Sequence, residues 1–198
     1  MNLPNKLTLL RIALTFVFML CLFSEGMVFK VLALLVFSAA ALTDLLDGII
    51  AKARNQVTDF GKIMDPIADK ILVLAAFLSF IQLQLIPAWT VIVIISRELI
   101  ITSLRIFALS KGKVLAASRA GKHKTVSQMA AIFIILISLI YKETMNRHLS
   151  LGPEVEANIK SIVYLSMLSA AGLTIISGVS YMWDNRALFI GARANAQG

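Results

Sequence analysis

Long apolar stretches follow one another along this chain, and the polar residues gather in short segments between them. The apolar stretches predict six helices, at about 8–24, 28–50, 61–85, 88–109, 125–141 and 157–182. Since roughly 20 apolar residues cross a bilayer, most of these helices are long enough to be spans. The pattern therefore predicts an all-α integral membrane protein, with one domain over residues 1–198.

Composition and charge support this class. Hydrophobic residues make up 59% of the 198 residues and charged residues 15%, whereas soluble domains have about 45–50% and about 25%. The net charge is +8, but no basic stripe with interleaved aromatic residues indicates nucleic-acid binding. The single cysteine, Cys21, lies inside an apolar stretch, where we expect neither a disulfide nor a metal.

The basic residues predict the orientation. With six spans, fifteen of the nineteen Lys and Arg residues fall on the side of the two termini, and only Lys30, Lys142, Arg147 and Lys160 fall on the other. Because cytoplasmic segments carry the excess of positive charge, we expect a multi-pass protein of the cell membrane with both termini in the cytoplasm.

Four aspartates stand at the ends of the second and third apolar stretches. Asp44 and Asp47 are three residues apart, and Asp65 and Asp69 are four apart; on a helix each spacing places the pair about one turn apart on one face. Clustered carboxylates beside apolar helices need compensating positive charge. Two divalent cations such as Mg²⁺ or Mn²⁺ would supply it, together with phosphoryl-transfer chemistry on the cytoplasmic side. Alternatively, the acids pair with neighbouring lysines and arginines.

The pattern D-x-x-D-G-x-x-A-K, eight residues, G-x-x-x-D-x-x-x-D between Asp44 and Asp69 resembles the signature of the CDP-alcohol phosphotransferases. The segments 3–11, 55–58, 96–105 and 118–125 are similar to the bacterial branch of that family that makes phosphatidylglycerol phosphate. One position departs from the signature, because Lys52 stands where the family has arginine. Either Lys52 or Arg54 takes that role.

The resemblance implies a fold of six transmembrane helices around a polar cavity that faces the cytoplasm, in a homodimer. It also implies a reaction in phospholipid biosynthesis, in which the 1-hydroxyl of glycerol 3-phosphate attacks CDP-diacylglycerol and releases CMP.

The resemblance further implies roles for individual residues. Asp44, Asp47, Asp65 and Asp69 resemble the ligands of two divalent cations, and Asp69 resembles the catalytic base. The expected CDP-diacylglycerol contacts are Asn5, Thr8, Asp47, Gly48, Ala51, Lys52, Arg54 and Gly61.

A group of basic residues independently indicates a phosphorylated acceptor. Arg97 lies in the middle of an apolar stretch, and Arg105 follows eight residues later, about 80° around the helix. Lys122 and Lys124 head the next helix from the same side. Buried cations in a membrane segment mark a cavity or a partner, and this group suits a dianionic phosphate such as that of glycerol 3-phosphate.

Smaller expectations concern the neighbours of these cations. We expect Glu98 to be a structural partner of one arginine, and Gly172 and Gly178 to ease helix packing. Trp89, Trp183 and Tyr181 are expected to anchor the membrane interface.

Other functions remain open at this point. The same chemistry with inositol phosphate, serine or phosphatidylglycerol as acceptor is possible, although serine would not need the cations. A cation transporter could also use the aspartates, but the inverted repeats and broken helices of many transporters are not evident.

Overall fold

The computed structural model describes the backbone of residues 3–54, 59–110, 120–148 and 152–186. Side chains are described within these ranges, except at positions 3–6, 44–54, 59–66, 69, 120–123 and 146–148. The described chain is all-helical, with six helices. They are α1 (Leu3–Phe23), α2 (Met27–Arg54), α3 (Asp59–Gln82), α4 (Ala88–Ser110), α5 (Ala120–His148) and α6 (Pro153–Asp184).

The predicted helices are confirmed in number and order, but several of their ends are wrong. The expected loops at 51–62, 110–124 and 142–156 are shorter, because α2 runs to Arg54, α5 covers Ala120–His148 and α6 begins at Pro153. These extensions are rich in Lys, Arg, Glu and Ala, which favour helix even where they are too polar for an apolar core.

Within the described ranges, two helices are long and apolar enough to cross a membrane, over Lys124–Met145 and Pro153–Asp184. Shorter apolar helical segments cover Leu7–Phe23, Met27–Thr43 and Lys70–Gln82. In α4 the apolar sequence is interrupted by Arg97, Glu98 and Arg105.

The helices group into two compact units, and α5 and α6 contribute to both. Unit 1 comprises Met1–Leu85 and Ile132–Val163, and unit 2 comprises Ile86–Ala131 and Tyr164–Gly198.

In unit 1, α1 packs against both α2 and α3. Its buried face carries Thr8, Arg11, Thr15, Phe18 and Leu22, at the spacing of three and four residues that defines one face of a helix. The ring of Phe37 from α2 lies 5.4 Å from that of Phe18 and 5.6 Å from that of Phe133. These aromatic contacts join α1, α2 and α5 in the core of the unit.

Two turns in unit 1 fix where its helices end. Gly26, with a φ of 102°, reverses the chain after α1, and the Lys30 ammonium donates to the carbonyls of Leu22 and Ser24 at 2.6 and 2.9 Å. After α3, the Leu85 amide donates to the Phe80 carbonyl, and the Gln84 amide to that of Ile81. This is the Schellman arrangement that closes a helix, with Gln84 at a φ of 56°.

In unit 2, the buried face of α4 carries Thr90, Val91, Ile94, Arg97, Ile101 and Ala108. Arg97 therefore belongs to the inner face of its helix, among apolar neighbours. The buried face of α6 in this unit contains the polar residues Thr174, Ser177 and Tyr181 beside Ala170 and Ala171. A buried arginine requires polar partners, and α6 supplies one of them.

Candidate active site

The four aspartates lie in helical backbone, Asp44 and Asp47 in α2 and Asp65 and Asp69 in α3. The predicted helical spacing is therefore confirmed, and each pair is separated by about one turn. The two helices contact each other within unit 1, and carboxylate oxygens are the donors that hard divalent cations take. The carboxylate groups themselves lie outside the described residues.

The predicted CDP-diacylglycerol contacts fall on these two helices and on α1. Asn5 and Thr8 belong to α1, whereas Gly48, Ala51, Lys52 and Arg54 belong to the last turns of α2, and Gly61 to the first turn of α3. Thr8 is fully buried. The side chains of the other members lie beyond the described part, so their roles stay predictions.

Arg97 is the best-defined member of the basic group. It is nine-tenths buried, and its Nη2 donates to Ser177 Oγ of α6 at 2.8 Å. Its Nη1 lies 3.1 Å from Glu98 Oε1, whereas the buried Nε has no hydrogen-bond partner among the described residues. The guanidinium is thus held from two sides.

Glu98 joins two of the predicted cations. Its Oε1 accepts from Arg97 and also pairs with Lys124 of α5. The expectation that Glu98 partners an arginine is confirmed, and the carboxylate binds Lys124 as well. Arg97 and Lys124 carry two positive charges and Glu98 one negative charge, so this cluster keeps a net positive charge that suits an anion.

Arg105 is held differently from Arg97. Its Nε donates to Tyr181 Oη at 3.3 Å, and its guanidinium carbon lies 5.4 Å from the centroid of the same ring. Within the described chain its two terminal nitrogens make no hydrogen bond. The fork of Arg105 is the part that binds phosphate oxygens in pairs, and no described residue pairs with it.

The structure brings Arg97 and Lys124 together through Glu98. The side chain of Lys122 lies in the undescribed part of α5, so its predicted role is untested. Trp89 and Trp183 are exposed, as an interfacial anchor would be, but the expectation for Tyr181 is wrong. Its side chain is only 2% exposed, because the ring lies beside Arg105 and its hydroxyl accepts from that guanidinium.

Sequence reasoning missed the α6 partners, Ser177 and Tyr181. The available signal was their spacing, since Thr174, Ser177, Gly178 and Tyr181 recur on one face of α6, three or four residues apart. Gly178 does ease packing, but what packs there is the stem of Arg97.

Residues 1–179 match the family model described as CDP-alcohol phosphatidyltransferase. The match covers nine-tenths of the chain, including the four aspartates, the basic group and Ser177. The chain belongs to the CDP-alcohol phosphatidyltransferase family.

Within the family, the chain is similar to relatives named for one particular transfer. This CDP-alcohol phosphatidyltransferase is 44% identical over 148 residues to the CDP-diacylglycerol–glycerol-3-phosphate 3-phosphatidyltransferase of Bacillus subtilis, with 69% of this chain and 77% of the relative covered. A relative of the same name from Rickettsia bellii is 36% identical over 187 residues, 91% of this chain and 93% of its own length. The probable phosphatidylglycerophosphate synthase of Mycobacterium tuberculosis (strain H37Rv) is 36% identical over 184 residues, 91% and 80% of the two chains.

Proposed function

We propose that this CDP-alcohol phosphatidyltransferase transfers the phosphatidyl group of CDP-diacylglycerol to the 1-hydroxyl of glycerol 3-phosphate. The products are phosphatidylglycerol phosphate and CMP. The observation that carries the proposal is the similarity over nine-tenths of both chains to a relative named for this transfer. The basic group in unit 2 supports it independently, since its net positive charge suits a phosphorylated acceptor.

The aspartates of α2 and α3 are proposed to hold two divalent cations, Mg²⁺ or Mn²⁺, and the residues fit such a group because four carboxylates on two contacting helices form an oxygen-rich donor set. When bound, such ions neutralise charge on the diphosphate and on the leaving CMP. Asp44, Asp47 and Asp65 are the principal ligands in this proposal.

Asp69 is proposed as the general base. A carboxylate that accepts the proton of the attacking hydroxyl makes the oxygen a better nucleophile, an effect worth about 10²–10⁴-fold in rate. The attack forms a bond from the acceptor oxygen to the β-phosphorus, and the bond from that phosphorus to CMP breaks. Asn5, Thr8, Gly48, Ala51, Lys52, Arg54 and Gly61, with Asp47, are the proposed contacts of CDP-diacylglycerol.

Arg97, Arg105, Lys122 and Lys124 are proposed to recognise the phosphate of glycerol 3-phosphate. That phosphate does not react, so its binding energy serves recognition and orientation of the acceptor. The described geometry supports a division of roles. Arg105 offers its terminal nitrogens, whereas the more deeply buried Arg97 supplies charge from a fixed position.

The proposed setting is the cell membrane, with six spans, cytoplasmic termini, a polar cavity open to the cytoplasm and a homodimeric assembly. The membrane part is supported by the two helices of the described chain that are long and apolar enough to span. So does the exposure of large apolar side chains such as Leu165, Ile176 and Val179 on α6, because soluble proteins rarely expose contiguous apolar surface of this kind.

The test uses purified protein in detergent with CDP-diacylglycerol and one acceptor at a time. Glycerol 3-phosphate, free glycerol, serine and inositol phosphate form the panel, with CMP release as the rate and mass spectrometry to identify the lipid. We expect turnover with glycerol 3-phosphate and phosphatidylglycerol phosphate as product. Faster turnover with inositol phosphate would assign the chain to another acceptor, and equal use of free glycerol or serine would remove the role of the basic group.

A further inference from the structure

One face of α6 approaches the two arginines of α4 within unit 2. The members of this face are Thr174, Ser177, Gly178 and Tyr181, and all four are buried. Its neighbours along the helix, such as Ile175, Ile176 and Val179, are exposed and apolar. The face is therefore a polar interior surface on a helix whose other side is apolar, and we call it the α6 polar face.

Gly178 is the position where the fit is tightest. A Cβ atom built on this residue would lie 2.9 Å from Arg97 Cγ and 3.5 Å from Arg97 Nε. Real Cβ contacts are essentially never shorter than 3.0 Å, so any other residue would displace the arginine. The Cγ atom belongs to the stem of the side chain, and moving it carries the guanidinium away from Ser177 and Glu98.

The adjacent residues of the α6 polar face hold the guanidinium groups by hydrogen bonds. Ser177 accepts from Arg97 Nη2 at 2.8 Å, and one turn further on Tyr181 accepts from Arg105 Nε at 3.3 Å. Because arginine side chains have many rotamers, fixing each one in advance reduces the entropy lost when a ligand binds.

We propose that the α6 polar face positions Arg97 and Arg105 for the acceptor phosphate, with Gly178 and Ser177 seating Arg97 and Tyr181 orienting Arg105. The inference rests on the proposed function, and it identifies three specificity-determining residues that do not themselves touch substrate. Their effect passes through the arginines to the binding of the phosphorylated acceptor.

A matched pair of glycine substitutions on the same helix tests the seat of Arg97. Gly178→Ala should raise the KM for glycerol 3-phosphate about tenfold or more, as expected when a charge-assisted contact is lost. The KM for CDP-diacylglycerol should stay within about twofold. Gly172→Ala is the control, because a Cβ there meets nothing within 4 Å and both changes bring the same gain in helix propensity.

Three further variants keep the test independent of folding. Ser177→Ala removes only the hydroxyl that Arg97 binds, and it should change the same KM in the same direction. Tyr181→Phe retains the ring beside Arg105 and loses the hydrogen bond, whereas Tyr181→Leu loses both, so the KM for glycerol 3-phosphate should rise in the order wild type, Phe, Leu. Thermal unfolding of every variant is measured alongside, and a merely structural role would lower kcat and stability without the selective change in KM.

The two proposals can fail separately. A wild type that requires glycerol 3-phosphate, with Gly178→Ala and Ser177→Ala both matching Gly172→Ala, would overturn this inference alone. A wild type that uses free glycerol as well as glycerol 3-phosphate would overturn the proposed function, and this inference with it.

Discussion

Arg97 and Arg105 are two turns apart on α4, yet the structure treats them differently. Arg97 is nine-tenths buried and engaged by Ser177 and Glu98, whereas Arg105 is exposed and, among the described residues, is held by Tyr181. Desolvating a charge is costly unless partners compensate it, which explains why only the buried arginine has two. A ligand that binds the terminal nitrogens of Arg105 displaces no partner among the described residues.

The first prediction concerns the acceptor. Arg105→Ala should raise the KM for glycerol 3-phosphate and leave the KM for CDP-diacylglycerol nearly unchanged. A charge-assisted hydrogen bond of about 1.5–3 kcal/mol corresponds to roughly ten- to a hundredfold in kcat/KM. The variant should also discriminate less between glycerol 3-phosphate and free glycerol, which steady-state CMP release measures directly.

Arg186→Ala is the matched control for that experiment. Arg186 also lies beside an aromatic ring, with its guanidinium carbon 5.1 Å from the centroid of Trp183, but it stands after α6 on an exposed surface. Its loss should leave both KM values unchanged. Similar effects from the two arginine variants would mean that the charge acts through the general field of the protein and not by local recognition.

The second prediction separates two aspartates of α3. Asp65→Asn removes a proposed ligand charge, so the concentration of Mg²⁺ needed for half-maximal activity should rise. Asp69→Asn removes the proposed base and should reduce kcat by about 10²–10⁴-fold, while binding of CDP-diacylglycerol, measured by titration, stays largely intact. An Asp69→Asn enzyme with more than a tenth of the wild-type kcat at saturating substrates would rule out the base assignment.

At the residue scale, sequence predicted the charged members of the site better than the neutral ones. Arg97, Arg105 and Glu98 stand out because a charged side chain in an apolar helix needs a polar cavity or a charged partner. Ser177 and Tyr181 do not, since a hydroxyl can bond to its own helix and a tyrosine near a helix end also suits a membrane interface. Only packing between helices distinguishes these roles.

At the scale of elements, hydropathy located the helices but not their ends. The apolar pattern of α5 stops near residue 141, yet the helix continues to His148. Hydropathy reports where side chains prefer to be buried, whereas a helix ends where its backbone loses hydrogen bonds or a turn residue intervenes. Both Gly26 and Gln84 end a helix with a positive φ. Glycine is the usual residue for that conformation, so Gly26 can be recognised in the sequence, whereas Gln84 cannot.

The turn after α3 gives a third prediction. Gln84 has a φ of 56°, a conformation that costs an ordinary residue about 1–2 kcal/mol. Gln84→Gly should therefore raise the free energy of unfolding, by up to about 1 kcal/mol once the greater chain entropy of glycine is deducted. Thermal unfolding in detergent measures the change.

Gln82→Gly provides the opposite case two residues earlier. Gln82 is the last residue of α3 and is exposed, so glycine there loses helix propensity of up to about 1 kcal/mol without relieving strain. The two variants should shift the midpoint in opposite directions. A Gln84→Gly variant destabilised as much as Gln82→Gly would show that φ at position 84 does not limit stability.

For the whole molecule, the sequence predicted an all-α architecture, and the described chain has six helices. It also predicted membership of the CDP-alcohol phosphatidyltransferase family, which the family match confirms. It could not predict how the described residues group into two compact units that share α5 and α6, because apolar helices of similar composition can pair in many ways. The spacing of the aspartates within α2 and within α3 was predictable. The distance between Asp44 of α2 and Asp65 of α3 depends on helix packing, which no local sequence pattern encodes.

The fourth prediction concerns the ions proposed for the complete site. Four carboxylates without compensating charge would repel one another, so activity should disappear in excess EDTA and return on addition of Mg²⁺ or Mn²⁺, both suited to oxygen ligands. Ca²⁺, which is larger and less strict in its geometry, provides a comparison ion. Full turnover in excess chelator would rule out the two-ion proposal.

The carboxylate of Glu98 has a consequence for how unit 2 opens. It links Lys124 of α5 to Arg97 of α4, and Arg97 in turn binds Ser177 of α6, so one chain of polar contacts crosses three helices. Separating any of these helices breaks an ion pair or removes a hydrogen bond from the buried Arg97 guanidinium, which raises the free energy of local opening. The backbone amides around Arg97, Lys124 and Ser177 should therefore exchange their hydrogens with solvent at a common slow rate, as one cooperative unit.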